Sequence, residues 1–189
     1  ADAGGVHDRP VFDVHMRVAR QFQRRALAGR AERDDQIEAG KIEIERVSFD
    51  LDKMLQRIIN ISSVKAKEQG IELAVDKAAT LPVYFFGDPL RIEQILLNLM
   101  NNAVKFTEQG TVSISIREES TEGAKAWIAF TVTDTGIGMS KEQLDHLFVP
   151  FDQGDSTISR RFGGSGLGLS IVKSLTDLMG GEISVTSEK

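Results

Sequence analysis

The sequence contains no cysteine, which excludes disulfide bonds, thiolate metal ligands and a cysteine nucleophile. It has few aromatic residues, no long basic run and a net charge of −5, so it lacks the electrostatic pattern of a DNA- or RNA-binding protein. No apolar run approaches the ~20 residues needed to cross a bilayer, and the N-terminus has no apolar signal-like core. We therefore predict a soluble chain with one main domain and no direct membrane contact.

The composition changes near residue 40. Residues 1–40 contain seven arginines, seven acidic residues and no lysine, whereas all ten lysines lie from Lys41 onward. Helically spaced apolar residues in the first part predict a helix from about Val11 to Arg30; they are Phe12, Met16, Ala19, Phe22 and Ala26. We divide the chain into an atypical segment, 1–45, and a domain, 46–189. The first, which includes a linker, is either a remnant or replacement of a dimerisation region or, as we favour, an expression artefact or a foreign or misregistered stretch.

Helix signals and strand signals alternate after residue 46. Asp50 is a candidate N-cap for a helix that ends at Gly70, and Asp88 with Pro89 begins a second, largely buried helix. Strands are predicted at "IELAV", "TVSISI", "AWIAFTVTD" and "GEISVTS", with 119–124 as a hairpin connection. Further helices are predicted from about Ser140 to Phe148 and up to about Met179. This pattern indicates an α+β fold, a mixed sheet with helices packed on one face.

The stretch "RFGGSGLGLSIVKSL", 161–175, places four glycines immediately before an apolar helical pattern. Glycine costs roughly 0.5–1 kcal/mol relative to alanine inside regular structure, so this choice suggests that another group approaches the backbone closely. The free backbone N–H groups at the start of a helix favour phosphate binding, although glycine-rich turns also serve as plain connectors.

Three asparagines and a lysine interrupt the apolar helix "QILLNLMNNAVKF": Asn98, Asn101, Asn102 and Lys105. Buried amides cost free energy unless they find partners. The amide oxygen of Asn102 is suited to a Mg²⁺ ion that also binds phosphates, and Lys105 to phosphate charge. The alternative is that the amides bond neighbouring backbone.

The stretch "DTGIG" places Asp134 at the end of a predicted strand, directly before a glycine turn. An ionised carboxylate only accepts hydrogen bonds, and adenine offers its exocyclic amino group as a donor. Taken alone, the stretch is also typical of an ordinary turn with a capping aspartate.

These motifs together resemble the catalytic and ATP-binding domain of bacterial sensor histidine kinases, particularly hybrid-type kinases, within the gyrase, Hsp90, histidine kinase and MutL group. "NLMNNAVKFT" is similar to the N box, "DTGIG" to the first glycine box, "LFVPF" to the F box and "FGGSGLGLSI" to the second glycine box, in the family's order. The resemblance runs from about Phe49 to the last residue. It implies a two-layer α/β sandwich of the Bergerat type, with ATP under a lid.

The resemblance also implies roles for individual residues. Asn102 would bind Mg²⁺, Asn98 would lie near the phosphates and Lys105 would contact phosphate. Asp134 would accept from the adenine amino group, with Gly136 and Gly138 allowing backbone to approach the base. The remaining implied residues are Phe148 and Phe151 as anchors of the lid, Arg160 or Arg161 at the γ-phosphate, and Gly164, Ser165, Gly166, Leu167 and Gly168 around the triphosphate.

The implied activity is transfer of the γ-phosphate of ATP to a histidine on a separate dimerisation domain in two-component signalling, with a response regulator downstream. The family's His-Glu-x-x-x-Pro motif is absent, so we expect the chain to be inactive alone, and His7, His15 and His146 are not site candidates. The chain also lacks the last strand usual in the family, which predicts an unpaired sheet edge. We expect a cytoplasmic monomer, unless residues 1–40 pair. The alternatives are a nucleotide-binding module without kinase activity and a hydrolysing ATPase, which Asn98 disfavours.

Overall fold

The computed structural model describes residues 12–21, 43–122, 125–148 and 168–188. The elements in chain order are β1 (Phe12–Gln21), β2 (Val47–Asp50), α1 (Leu51–Gln69), β3 (Ile71–Lys77), β4 (Tyr84–Gly87), α2 (Pro89–Phe106), β5 (Gly110–Glu122), β6 (Lys125–Asp134), α3 (Lys141–Asp145), α4 (Gly168–Leu178) and β7 (Glu182–Ser187). Within these residues, no helix is long and apolar enough to span a bilayer.

A five-stranded mixed sheet forms one layer of the domain, with strand order β3-β5-β6-β1-β7. β3 and β5 are parallel, and the other neighbours are antiparallel. The helices α1, α2 and α4 pack together against it, and β2 pairs with β4 in a separate two-stranded sheet. The predicted α+β fold is confirmed.

The helix boundaries follow from their caps. Asp50 accepts from the backbone N–H of Lys53 at 3.0 Å, and Gly70 ends α1 in the left-handed conformation that favours glycine. Asp88 Oδ1 accepts from Arg91 N at 3.0 Å, while its Oδ2 accepts from Glu45 N at 3.0 Å. The buried Asp88 carboxylate therefore starts α2 and also anchors the segment before β2.

The helix predicted from Val11 to Arg30 is wrong where the structure describes it, because Phe12–Gln21 is a strand. Val14, Met16 and Val18 are buried and alternate with partly exposed residues, a period of two that fits a strand and includes two β-branched side chains. β1 lies between β6 and β7, so the sheet of the domain includes part of the segment predicted to be separate. It gives β7 a strand neighbour, and the edges of the sheet are β3 and β7.

Two other boundaries differ from expectation. β5 continues to Glu122 and β6 begins at Lys125, so the strands extend through most of the predicted hairpin connection. The register of the two strands shifts by one residue between Glu118 and Ser120, as in a β-bulge. α3 is shorter than predicted; it begins after Ser140, whose hydroxyl and the Gln143 side chain form a capping box.

Candidate nucleotide site

The adenine end of the predicted site lies where β6 stops. Asp134 is the last residue of β6 and only 2% exposed. Its Oδ1 accepts from the backbone N–H of Gly136 at 2.9 Å. Burial raises the pKa of Asp134 to about 6, and the nearby Asp13 acts in the same direction, whereas the Gly136 hydrogen bond opposes them. Ionisation of the Asp134 carboxyl group therefore costs free energy unless a second hydrogen-bond donor reaches it.

The first glycine turn is fastened to α2 and to β7. Ile137 N donates to the carbonyl of Phe106, the last residue of α2, at 3.2 Å. Met139 N donates to Ser187 Oγ, at the end of β7, at 2.9 Å. Gly138 has a φ of 63°, which favours glycine. These two hydrogen bonds therefore hold the backbone of the turn beside the C-terminal end of α2.

Gly136 is required by close packing rather than by its dihedral angle. A Cβ at this position would collide with the carbonyl oxygen of Phe106 and lie 2.8 Å from Asp134 Oδ1. We expect Gly136→Ala to lower the free energy of unfolding by about 1–3 kcal/mol, because the backbone of α2 has to shift, and to displace Asp134.

Chemical denaturation and nucleotide titration of Gly136→Ala measure both effects. Gly87→Ala is the matched control, since a Cβ there would lie 3.8 Å from Phe49 Cε1, in ordinary contact. If Gly136→Ala and Gly87→Ala had equal stability and affinity, the packing argument at Gly136 would be refuted.

The polar residues of α2 are less buried than the sequence predicts. Asn101 is exposed, and Asn98 and Asn102 are half-buried, so the expectation of three buried amides is wrong. Asn102 lies against the start of α4: a Cβ on Gly168 would be 3.6 Å from Asn102 Nδ2 and 4.0 Å from Oδ1. The N box and the last glycine of the second glycine box are therefore adjacent in space.

Lys105 lies one turn further along α2. Its Nζ is 4.7 Å from the ring centroid of Phe106. Partial burial lowers the pKa of Lys105, with a further contribution from the charge of Lys65 on α1. A partly desolvated ammonium near Asn102 is suited to an anionic group.

Phe148 is half-buried at the end of a described stretch. The other predicted site residues lie outside the described residues, so their placement stays a prediction: Phe151, Arg160, Arg161, Gly164, Ser165, Gly166 and Leu167. A cleft of about 420 Å³ lies elsewhere, near the opposite end of β6, with Val18, Trp127 and Met179 in its walls. It contains none of the predicted site residues.

A mixed sheet backed by helices, with a buried aspartate and a glycine turn beside a polar helix face, defines an α+β domain of the nucleotide-binding type. A family model described as "Histidine kinase-, DNA gyrase B-, and HSP90-like ATPase" matches residues 87–189. The chain belongs to this family.

The relatives of this chain include signalling histidine kinases. Hybrid signal transduction histidine kinase B of Dictyostelium discoideum is 45% identical over 152 residues, which are 80% of this chain and 8% of that protein. Signal transduction histidine-protein kinase BarA of Escherichia coli (strain K12) is 39% identical over 152 residues, 80% of this chain and 17% of that protein. The chain thus spans less than a fifth of the length of these relatives.

Solved structures show the same fold. The structure described as full-length ShkA in complex with AMPPNP has a TM-score of 0.63 and 36% identity, and the similarity covers 75% of this chain and 28% of that one. The catalytic domain of histidine kinase ThkA has a TM-score of 0.58 at 21% identity, over 75% of this chain and 93% of that one, and supports the fold alone.

Proposed function

We propose that this chain binds Mg-ATP and supplies the γ-phosphate for phosphorylation of a histidine on a separate dimerisation domain. The observation that carries the proposal is the buried Asp134 carboxylate at the end of β6, hydrogen-bonded on one side by Gly136 N. An ionised carboxylate that is buried needs further donors, and the exocyclic amino group of adenine is one. Gly136 and Gly138 leave room for the base.

The phosphates would lie between α2 and the start of α4. Lys105 would neutralise part of their charge, and the N-terminus of α4 would contribute backbone N–H groups. The amide oxygen of Asn102, which is half-buried against Gly168, suits Mg²⁺, a hard cation that prefers oxygen and keeps several waters. When bound, the ion would neutralise charge on the phosphates.

Phosphoryl transfer needs little covalent chemistry from the protein, since positioning and charge neutralisation provide most of the rate. The chain's own residues would orient the nucleotide, with Asn98 near the phosphates and Arg160 or Arg161 at the γ-phosphate. The acceptor would be a histidine of a dimerisation domain, and a response regulator would receive the phosphoryl group from it. Because the activity needs ATP, we expect it in the cytoplasm.

The proposed binding of Mg²⁺ by Asn102 can be tested by substitution, with Asn101 on the same helix as the control. We expect Asn102→Ala to reduce affinity for AMPPNP by roughly tenfold in the presence of Mg²⁺ and to have little effect without it, because the variant loses a metal ligand. Asn101→Ala removes an exposed amide one position away and should leave binding unchanged. Calorimetric titration of both variants with and without Mg²⁺ makes the comparison. Equal affinity loss with and without Mg²⁺ would exclude the metal role.

Labelled ATP and a purified histidine-bearing dimerisation domain of a related hybrid kinase test the transfer itself. We expect label on its histidine only when this chain is present. Tight AMPPNP binding without any labelled histidine would instead support a nucleotide-binding module that lacks kinase activity. Steady phosphate release by the chain alone, abolished in Asn102→Ala, would support a hydrolysing ATPase.

A further inference from the structure

The connection between the end of α2 and the start of β5 consists of only three residues, 107–109. The first of them, Thr107, is 1% exposed. Its backbone N–H and its hydroxyl both donate to the carbonyl oxygen of Ala103, at 3.1 Å and 2.8 Å. The part of α2 that carries Asn102 and Lys105 is therefore joined to β5 by a short segment that is itself hydrogen-bonded to the helix.

Thr135, the residue after Asp134, contacts the other end of this connection. Its backbone N–H donates to the carbonyl oxygen of Thr111 at 3.2 Å, and its Oγ1 accepts from the backbone N–H of Thr111 at 3.0 Å. The same Oγ1 lies 3.4 Å from the carbonyl oxygens of Gln109 and Thr111, either of which can accept its proton. One hydroxyl thus binds backbone on both sides of Gly110, the residue at which β5 begins.

Gly110 leaves the space that the Thr135 hydroxyl occupies. A Cβ at position 110 would collide with Thr135 Oγ1 and lie 3.3 Å from Thr135 Cβ. Gly110 also has a φ of 114°, a backbone conformation that favours glycine. The start of β5 is therefore built around the close approach of Thr135.

The turn that follows Asp134 is consequently held at both ends of the connection between α2 and β5. At the α2 end, the carbonyl oxygen of Phe106 accepts from Ile137 N at 3.2 Å. At the β5 end, Thr135 makes the hydrogen bonds to Thr111 and the 109–111 backbone. The turn beside the proposed adenine end of the site and the helix end beside the proposed phosphate end are thus connected by direct hydrogen bonds.

We propose that Thr135 is a positioning residue that sets the distance between the adenine and phosphate parts of the nucleotide site. This inference rests on the proposed function. Thr135 acts through Asp134, its neighbour in the chain, and through the short segment that leads back to α2. A nucleotide gains the affinity of both its ends only when the two parts of the site lie at a matching distance. Loss of the hydroxyl should therefore weaken the whole nucleotide more than either of its ends.

Thr135→Val tests this role, because valine has nearly the same shape but cannot accept from Thr111 N. We expect its affinity for AMPPNP to fall roughly tenfold, and its affinities for adenosine and for pyrophosphate to change by less than about twofold. Thr135→Ser keeps the hydroxyl and should bind AMPPNP within about twofold of the wild type. Calorimetric titration measures AMPPNP binding, and NMR titration measures the weaker binding of adenosine and pyrophosphate.

Gly110→Ala displaces the hydroxyl without removing it, because the new methyl group would collide with Thr135 Oγ1. We expect the same pattern of affinities as for Thr135→Val. Gly180→Ala is the matched control: Gly180 also has a positive φ, 67°, but a Cβ there would meet no atom within 4 Å. This control should lose stability through backbone strain and bind all three ligands as the wild type does. Circular dichroism establishes which variants are folded at the titration temperature.

The difference between AMPPNP and its two ends decides the outcome. A loss of AMPPNP affinity several-fold larger than the losses for adenosine and pyrophosphate, in Thr135→Val or in Gly110→Ala and restored in Thr135→Ser, supports the positioning role. Equal weakening of AMPPNP and adenosine would show that Thr135 supports Asp134 alone, and unchanged binding would show no role; either result overturns the inference. If the wild type did not bind AMPPNP, the proposed function would fail and the inference with it.

Discussion

Asp134→Asn is expected to stabilise the ligand-free chain and, at the same time, to weaken its binding of adenine nucleotides. Asn is nearly the same size, and its Oδ1 can still accept from Gly136 N. It carries no charge, so the variant avoids the cost of burying an ionised carboxylate. A pKa raised from 3.8 to about 6 corresponds to about 3 kcal/mol, and we expect a gain of about 1–3 kcal/mol at pH 8.

The pH dependence identifies the cause of this gain. In the folded chain Asp134 has a pKa above its unfolded value, so the folded state binds its proton more tightly. Its contribution to the unfolding free energy therefore falls as pH rises from about 4 to about 6 and stays low above that range. Urea unfolding at pH 5 and pH 8 should show a larger difference between variant and wild type at pH 8. The same difference at both values would contradict the assignment.

In contrast to its stability, the nucleotide affinity of Asp134→Asn should be lower than that of the wild type. The variant loses a charge-assisted hydrogen bond to the adenine amino group, at a cost of roughly 1.5–3 kcal/mol, or about 10- to 150-fold in affinity. Asp134→Ala should behave similarly, whereas pyrophosphate binding should change little in either variant. Wild-type affinity for AMPPNP should fall below pH 6, as Asp134 takes up a proton. Equal weakening of AMPPNP and pyrophosphate would place Asp134 away from the base.

Met16→Ala is expected to lower the free energy of unfolding by about 2–5 kcal/mol. Met16 is fully buried on β1, in register with Phe130 on β6 and Ile183 on β7. Removing its side chain leaves a cavity on the inner face of the sheet, and such truncations cost transfer free energy plus a term for the cavity. Denaturant unfolding of the full chain measures the change.

Ile61→Ala provides the comparison for Met16→Ala. Ile61 is a large apolar residue on α1 that is 53% exposed, so its truncation should cost no more than about 0.5 kcal/mol. If Met16→Ala were as mild as Ile61→Ala, β1 would not be part of the folded sheet. The test therefore decides whether the N-terminal segment belongs to the domain.

Local signals predicted the elements around the site well. The caps at Asp50 and Asp88 act on neighbouring backbone, and these hydrogen bonds involve residues only three positions apart. The position of Asp134 at a strand end could also be predicted, because the strand pattern and the glycine turn meet there. The half-buried state of Asn102 could not be predicted, since it depends on where α4 lies.

The identity of β1 as a strand needed information from distant residues. Phe12, Met16 and Ala19 satisfy a helical spacing, while Val14, Met16 and Val18 satisfy a period of two, and the sequence alone does not decide between them. Residues 12–21 form a strand because they pair with β6, whose residues lie more than 100 positions further along the chain. The role of Asp13 beside Asp134 could not be predicted for the same reason.

The position of β1 also sets the order in which the domain can be completed during synthesis. β1 leaves the ribosome before the other described strands, but Thr131, which pairs with His15, follows it by 116 residues, and β7 comes later still. Pairings between such distant segments form slowly and leave an unpaired strand exposed in the meantime. α1, β3 and α2 can fold early. The contacts of β7 with β1 and with Met139, close to Asp134, form only once β7 has emerged. Among the described parts of the domain, the end of β6 at Asp134 is therefore one of the last to form.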